Sequence, residues 1–241
     1  MAQWSGVPEL QPNGSPRGAA RTDSETGFAS LPQMSRRVGL LGGTFDPPHL
    51  GHLVVAECAR VELGLDEVRL LVAGDPWMKK TTLSPDERVA MARAAVAEDP
   101  YLSVDDREVR RQGPTYTADT LAEIRAEEPD TDLWFVLGED AAAGLADWKR
   151  VDEAFALATF VVVTRPDSPV PDASILPDEV VHLEIPQLEV SSTELRERFV
   201  DGRATRYLVP VGVDSFVRSH GLYGATDGAT DVATDVRGQD G

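Results

Sequence analysis

Gly42-Gly43-Thr44-Phe45-Asp46-Pro47-Pro48-His49-Leu50-Gly51-His52 lies between an apolar run, Val38-Gly39-Leu40-Leu41, and a stretch that begins Leu53-Val54-Val55-Ala56. This order reads as a buried strand, a tight glycine turn and a helix entry. Gly42 and Gly43 reach backbone angles closed to other residues and, lacking Cβ atoms, let an anion approach the main-chain amides. Pro47 and Pro48 stiffen the entry to a helix whose unpaired N–H groups and dipole favour negative charge. His49 and His52, three residues apart at that helix start, project from nearly the same face and can reach one polyphosphate. Two of the four histidines of the chain stand here. A lone histidine would be read as a cap or a surface group; the glycine turn and the spacing favour an anion ligand.

Outward from this stretch the chain alternates strand and helix. Glu67 to Ala73 reads as a second strand ending at Gly74, and the following loop carries Lys79 and Lys80, candidate phosphate contacts if they are more than a solvated loop. Ser84-Pro85-Asp86-Glu87 has the capping-box form and introduces a helix over Arg88 to Glu98. A third strand is expected near Tyr101 to Asp105, then a helix with Thr117 as its N-cap. Asp132 to Gly138 is apolar on both faces, as a parallel sheet requires, and is followed by Glu139-Asp140 and then Trp148-Lys149. An acid at a strand end suits ribose hydroxyls. Thr159 to Arg165 gives a fifth strand with Arg165 at its C-terminal edge; Pro166 to Pro177 is a proline-rich connection, and Val180 to Ile185 returns to β with His182 read as structural. In Val190-Ser191-Ser192-Thr193-Glu194-Leu195-Arg196, Ser191 and Glu194 have capping-box spacing. Ser192, Thr193 and Arg196 place two hydroxyls and a fork-shaped cation around a second helix start, an anion site in form.

These elements predict an α/β, Rossmann-like, doubly wound and mainly parallel sheet with helices on both faces. Gly39-x-x-Gly42-Gly43 lacks the dinucleotide G-x-G-x-x-G spacing, and there is no Walker A lysine motif. With 241 residues and 41% hydrophobic content, one domain over 37–223 is expected, with a disordered leader over 1–36 and a disordered, acidic, degenerate repeat over 224–241. The leader has no apolar signal core and no run of 18 apolar residues occurs, so a cytoplasmic protein without a membrane span is expected. Cys58 alone supports neither a disulfide framework nor a zinc site. A formal net charge of −18 argues against broad binding to nucleic acid or anionic membranes.

Gly42 to His52 resembles the GGTFDPxHxGH signature of the HxGH nucleotidylyltransferases. Over Arg37 to Tyr223 the chain looks like the bacterial nicotinate-mononucleotide adenylyltransferases. The resemblance implies strand order 3-2-1-4-5 and adenylyl transfer from ATP to nicotinate mononucleotide, giving deamido-NAD and pyrophosphate without a covalent intermediate. It implies catalysis by His49, His52 and Arg196. ATP would contact Gly42, Gly43, Thr44, Phe45, Gly51, Gly138, Asp140, Ser192 and Thr193, with Lys79 or Lys80 on phosphate. The mononucleotide would contact Thr117 and Ala118 through backbone amides, Trp148 by ring stacking, and Lys149 and Arg165. Mg²⁺ would arrive with ATP, because no carboxylate cluster suggests a fixed metal site. Two departures stand out: Glu139 replaces a small residue, and Val151 stands where relatives can carry a second tryptophan. Nicotinamide mononucleotide or, further off, phosphopantetheine as acceptor, a cytidylyltransferase and a non-catalytic nucleotide sensor are the alternatives, and a homo-oligomer is left open.

Overall fold

The computed structural model describes residues 35–76, 80–111, 113–164, 180–186 and 188–225, without the side chain of Asp140. Residues 1–34 of the expected leader, the tail from 226, Lys79, Arg165 and the proline-rich connection therefore lie outside the described residues. The chain runs β1 (Arg36–Gly43), α1 (Leu50–Leu63), β2 (Glu67–Val72), α2 (Pro85–Val96), β3 (Leu102–Asp105), α3 (Arg107–Arg110), α4 (Thr117–Glu127) and β4 (Thr131–Gly138). It continues with α5 (Glu139–Ala143), a 3-10 turn at Leu145–Asp147, α6 (Val151–Phe155), β5 (Thr159–Thr164), β6 (Val181–Glu184), α7 (Ser192–Val200), α8 (Val211–Ser219) and a 3-10 turn at Leu222–Gly224.

The sheet order is β3-β2-β1-β4-β5-β6, every neighbouring pair parallel. The expected five-strand order is present, extended by β6 at the far edge. After β3 the chain crosses from one side of β1 to the other, so β1 and β4 flank the switch point where ligands bind open α/β sheets. Strand alternation assigns the faces. Val38 and Leu40 of β1 join a buried cluster with Leu121, Ile124, Phe135 and Phe160, whereas Leu41 joins Ala56, Leu70, Val89 and Val136 on the other face. Gly39 alternates onto that second face, and a glycine fits there because a Cβ would lie 2.8 Å from Leu65 in the turn after α1. A third cluster of Met91, Leu195, Phe199, Val213 and Val217 welds α2, α7 and α8 together. Each such fully buried side chain contributes about 1.5–3 kcal/mol.

Helix starts follow the sequence with two corrections. The box at α2 forms as read: Glu87 N–H donates to Ser84 Oγ (3.4 Å) and Ser84 N–H to Glu87 Oε2 (2.8 Å). At α4, however, the N-cap is Tyr116, not Thr117. Tyr116 is extended (φ −116°, ψ 132°) and its carbonyl already takes the N–H groups of Asp119 and Thr120, which makes Thr117 the first helical residue. At α7, Ser191 caps Glu194 N–H (3.2 Å), but the Glu194 carboxylate pairs with Arg198 (2.8 Å). The short α3 between β3 and α4 was not foreseen from the sequence.

Candidate active site

The loop from Thr44 to His49 leaves β1 at the C-terminal edge of the sheet. Phe45 holds φ at 50° and is buried, with its ring lying over Gly43, where a Cβ would be 2.9 Å from it. His49 is the N-cap of α1 and His52 its third residue. His52 Nδ1 accepts the His49 N–H at 3.1 Å, so the neutral His52 ring carries its proton on Nε2. The imidazoles stack at 3.7 Å between centroids, with Phe45 edge-on to His52 at 5.0 Å. Gly51 makes room for the stack, since a Cβ there would be 3.0 Å from the His49 ring. His49 is buried, its Nδ1 has no partner, and burial pulls its pKa down to about 4. At neutral pH His49 is therefore a neutral hydrogen-bonding ring, not a cation. The first turn of α1 contains no acid.

The start of α7 packs onto this same loop from about 150 residues away. Arg196 Nη1 donates to the Asp46 carbonyl (2.8 Å) and Nη2 to Thr193 Oγ1 (3.1 Å), while Ser192 Oγ donates to the Pro47 carbonyl (2.8 Å). Ser192 thus ties α7 to the loop, and Thr193 steadies Arg196. The buried Asp46 carboxylate accepts Tyr223 O–H (2.6 Å) and the Thr82 N–H. A hollow of about 350 Å³ opens beside Arg196.

A cavity of about 220 Å³ lies over the ends of β1 and β4. Gly42, Gly43 and Thr44 line it together with Thr117, Trp148 and Lys149, and with Glu108 of α3 and the α4 N-cap Tyr116. Trp148 stands edge-on to Phe135 at 6.0 Å. No side chain caps α4, and Ala118 is buried in the core, so this helix start offers its backbone. Glu108 is buried; it accepts Thr120 O–H at 2.8 Å, and burial raises its pKa to about 7 despite that bond and the nearby Arg111.

Not every expected residue joins this assembly. Lys80 is exposed and does not line the cavity. Gly138 ends β4 in open space, so packing does not demand a glycine there. Lys79, Arg165 and the Asp140 side chain lie outside the described residues. Asp46, Arg88, Glu108 and Tyr223 were not singled out as functional by sequence, although an arginine on the apolar face of α2 was a readable signal. Among the described residues no group of three or more His, Cys, Asp or Glu side chains could hold a metal ion, and no helix is long and apolar enough to cross a membrane.

The starts of α1 and α7 meet on the loop that leaves β1 beside the switch point of a parallel sheet, and the "Cytidylyltransferase-like" family model matches residues 40–198, which places the chain in that class. The "Probable nicotinate-nucleotide adenylyltransferase" of Paenarthrobacter aurescens is 44% identical over 202 residues, 83% of this chain and 97% of that protein. The protein of the same name from Thermus thermophilus is 43% identical over 187 residues, 78% of this chain and 99% of its own length. The chain belongs to the nicotinate-nucleotide adenylyltransferase family. In fold it is similar to the Plasmodium falciparum nicotinic acid mononucleotide adenylyltransferase solved with NaAD, with a TM-score of 0.66 at 20% identity, covering 78% of this chain and 98% of that one.

Proposed function

We propose that the protein transfers the adenylyl group of ATP to nicotinate mononucleotide, releasing pyrophosphate and forming nicotinate adenine dinucleotide, as a cytoplasmic step of NAD biosynthesis. The observation that carries this reading is the convergence of His49, His52 and Arg196 on one loop beside a cavity that also holds Trp148 and the uncapped start of α4. The mononucleotide phosphate is already an anion, so its in-line attack on the α-phosphate needs no general base. Alignment and charge neutralisation carry the catalysis. His52 donates through Nε2–H to the α-phosphate, assisted by the neutral His49, and Arg196 meets the outgoing phosphates. Mg²⁺ arriving with the nucleotide would supply further neutralisation at the phosphates. The Thr117 and Ala118 amides take the nicotinate carboxylate, and a ring stacked on Trp148 gains about 1–3 kcal/mol.

The test is pyrophosphate release, with product identification, from ATP, Mg²⁺ and each pyridine mononucleotide in turn. A site built around one hydrogen-bonded group rejects its analogue by about 10⁴, so strong preference for the nicotinate form is expected. Equal use of both would remove the carboxylate role of α4, and no turnover with either would remove the enzymatic reading.

A further inference from the structure

Arg88 of α2 is wholly buried. Its Nη1 donates to the Thr44 carbonyl and its Nη2 to the Gly74 carbonyl, both at 3.0 Å, and Nε–H has no partner. Its hydrogen bonds go to neutral carbonyls, the nearby Asp46 carboxylate offsets only part of its charge through space, and Nε–H is unsatisfied, so burial of this cation remains costly. Met91 and Ala92, on the same face of α2, are buried and apolar, so stability alone would be better served by an aliphatic side chain. The two carbonyls instead explain the arginine, because they belong to the two loops that leave β1 and β2 at the edge of the sheet.

Side chains grip three carbonyls of the first loop: Thr44 by Arg88, Asp46 by Arg196 and Pro47 by Ser192. Asp46 and Pro47 each precede a proline, so their peptides carry no N–H. The Thr44–Phe45 peptide does, and in a trans peptide the N–H points opposite to the carbonyl. Holding the Thr44 carbonyl toward α2 turns the Phe45 N–H away from it. Phe45 also sits at φ 50°, a conformation that L-residues avoid and that persists only when its surroundings impose it.

We propose that Arg88 is a positioning residue for adenylyl transfer, holding the Thr44–Phe45 peptide with its N–H aimed at the nucleotide phosphates and locking this loop to the one that begins at Gly74. This rests on the nucleotidyl-transfer reading of the site. Thr44 itself lines the 220 Å³ cavity, but the group that the grip orients is the Phe45 N–H, so loss of the grip is felt first through the ATP phosphates.

The experiment compares Arg88→Met and Arg88→Lys with the parent chain by thermal melting and by steady-state pyrophosphate release, well below each melting point. For Arg88→Met the KM for ATP is expected to rise about tenfold and kcat to fall by about tenfold to a hundredfold, with the mononucleotide KM within about twofold. Arg88→Lys, with charge but no fork to span two carbonyls, is expected between the parent and Arg88→Met. Parental kinetics in a folded Arg88→Met chain, or equal losses in both KM values, would overturn the proposal. If Arg88→Met does not fold, Arg88→Lys decides by the same split, and failure of both to fold overturns it by making Arg88 a residue of the fold alone. Should the parent release no pyrophosphate, the transfer reading falls by itself. Calorimetric MgATP binding then reads Arg88 separately, weaker binding by Arg88→Met supporting the grip and equal binding refuting it.

Discussion

The N-termini of α1 and α2 are built from the same local physics and put to opposite uses. α2 begins with Pro85, a complete Ser84–Glu87 box and two acids, Asp86 and Glu87, in its first turn. Its donors and its positive dipole end are largely satisfied within the chain. α1 begins after two prolines, with no acid in its first turn and with a buried His49 whose Nδ1 bonds to nothing. The α2 start is spent on folding, and the α1 start is the one that the proposed reading assigns to a ligand. A helix start left electrically open beside a glycine turn is thus informative where a well-capped one is not.

The sharpest way to break this contrast is His52→Ala. His52 is both the acceptor for His49 N–H and the proposed Nε2–H donor to the α-phosphate. Loss of one charge-stabilising donor lowers kcat by about a hundredfold or more, whereas loss of one internal hydrogen bond costs about 1 kcal/mol of stability. Pyrophosphate release and a thermal melt on the same preparation separate the two effects. Near-parental turnover in a folded variant would make α1 an ordinary capped helix, no different in kind from α2.

A smaller effect follows from protons. The His49 pKa falls from 6.5 unfolded to about 4 folded, so above pH 6.5 both states are neutral and nothing is lost. Between pH 6.5 and 4 the unfolded chain takes a proton that the folded ring refuses, and stability falls with pH. The loss is about 3 kcal/mol at pH 4. Glu108, raised to about 7, works with the opposite sign, because the folded state binds its proton first as pH falls through that value. The parent curve therefore hides the His49 contribution, and subtracting it from that of His49→Asn exposes it. Denaturant titrations from pH 7 to 4 should show the variant gaining on the parent as pH drops. Parallel curves would mean that the buried, unpartnered ring at α1 carries no such penalty.

Much of this was legible because it is local. The glycine turn, the His49–His52 spacing and the α2 box each depend on residues within a few positions of one another, whereas the long-range strand order came only from the resemblance. Arg88 enters the sequence reading only as the head of the helix over Arg88 to Glu98, although its spacing to Met91 and Ala92 places a cation on the apolar stripe. Asp46 and Tyr223 meet across 177 positions, and Ser192 reaches Pro47 across 145; no periodicity announces such pairs. The misplaced N-cap at α4 has a similar cause. Thr117 has the better capping side chain, but the backbone turns helical one residue earlier than that preference suggests, at a start with no side-chain cap. Propensity identified the residue type, whereas the fold leaves this helix start as bare backbone.

The smallest expected effect tests the α2 side of the comparison. Ser84→Ala removes the acceptor for Glu87 N–H and half of the capping box, which costs about 1 kcal/mol of stability. Its effect on turnover depends on what orients Arg88, which lies one turn further along α2 and bonds Ser84 O through its backbone N–H. That backbone bond survives the substitution, and burial among Met91, Ala92 and the two loop carbonyls fixes the guanidinium independently of the cap. Both KM values and kcat should therefore stay within about twofold of the parent while the melting point falls. A rise in the KM for ATP in this variant would show that the α2 cap also holds the phosphate loop through Arg88, and the two helix starts would then form one device.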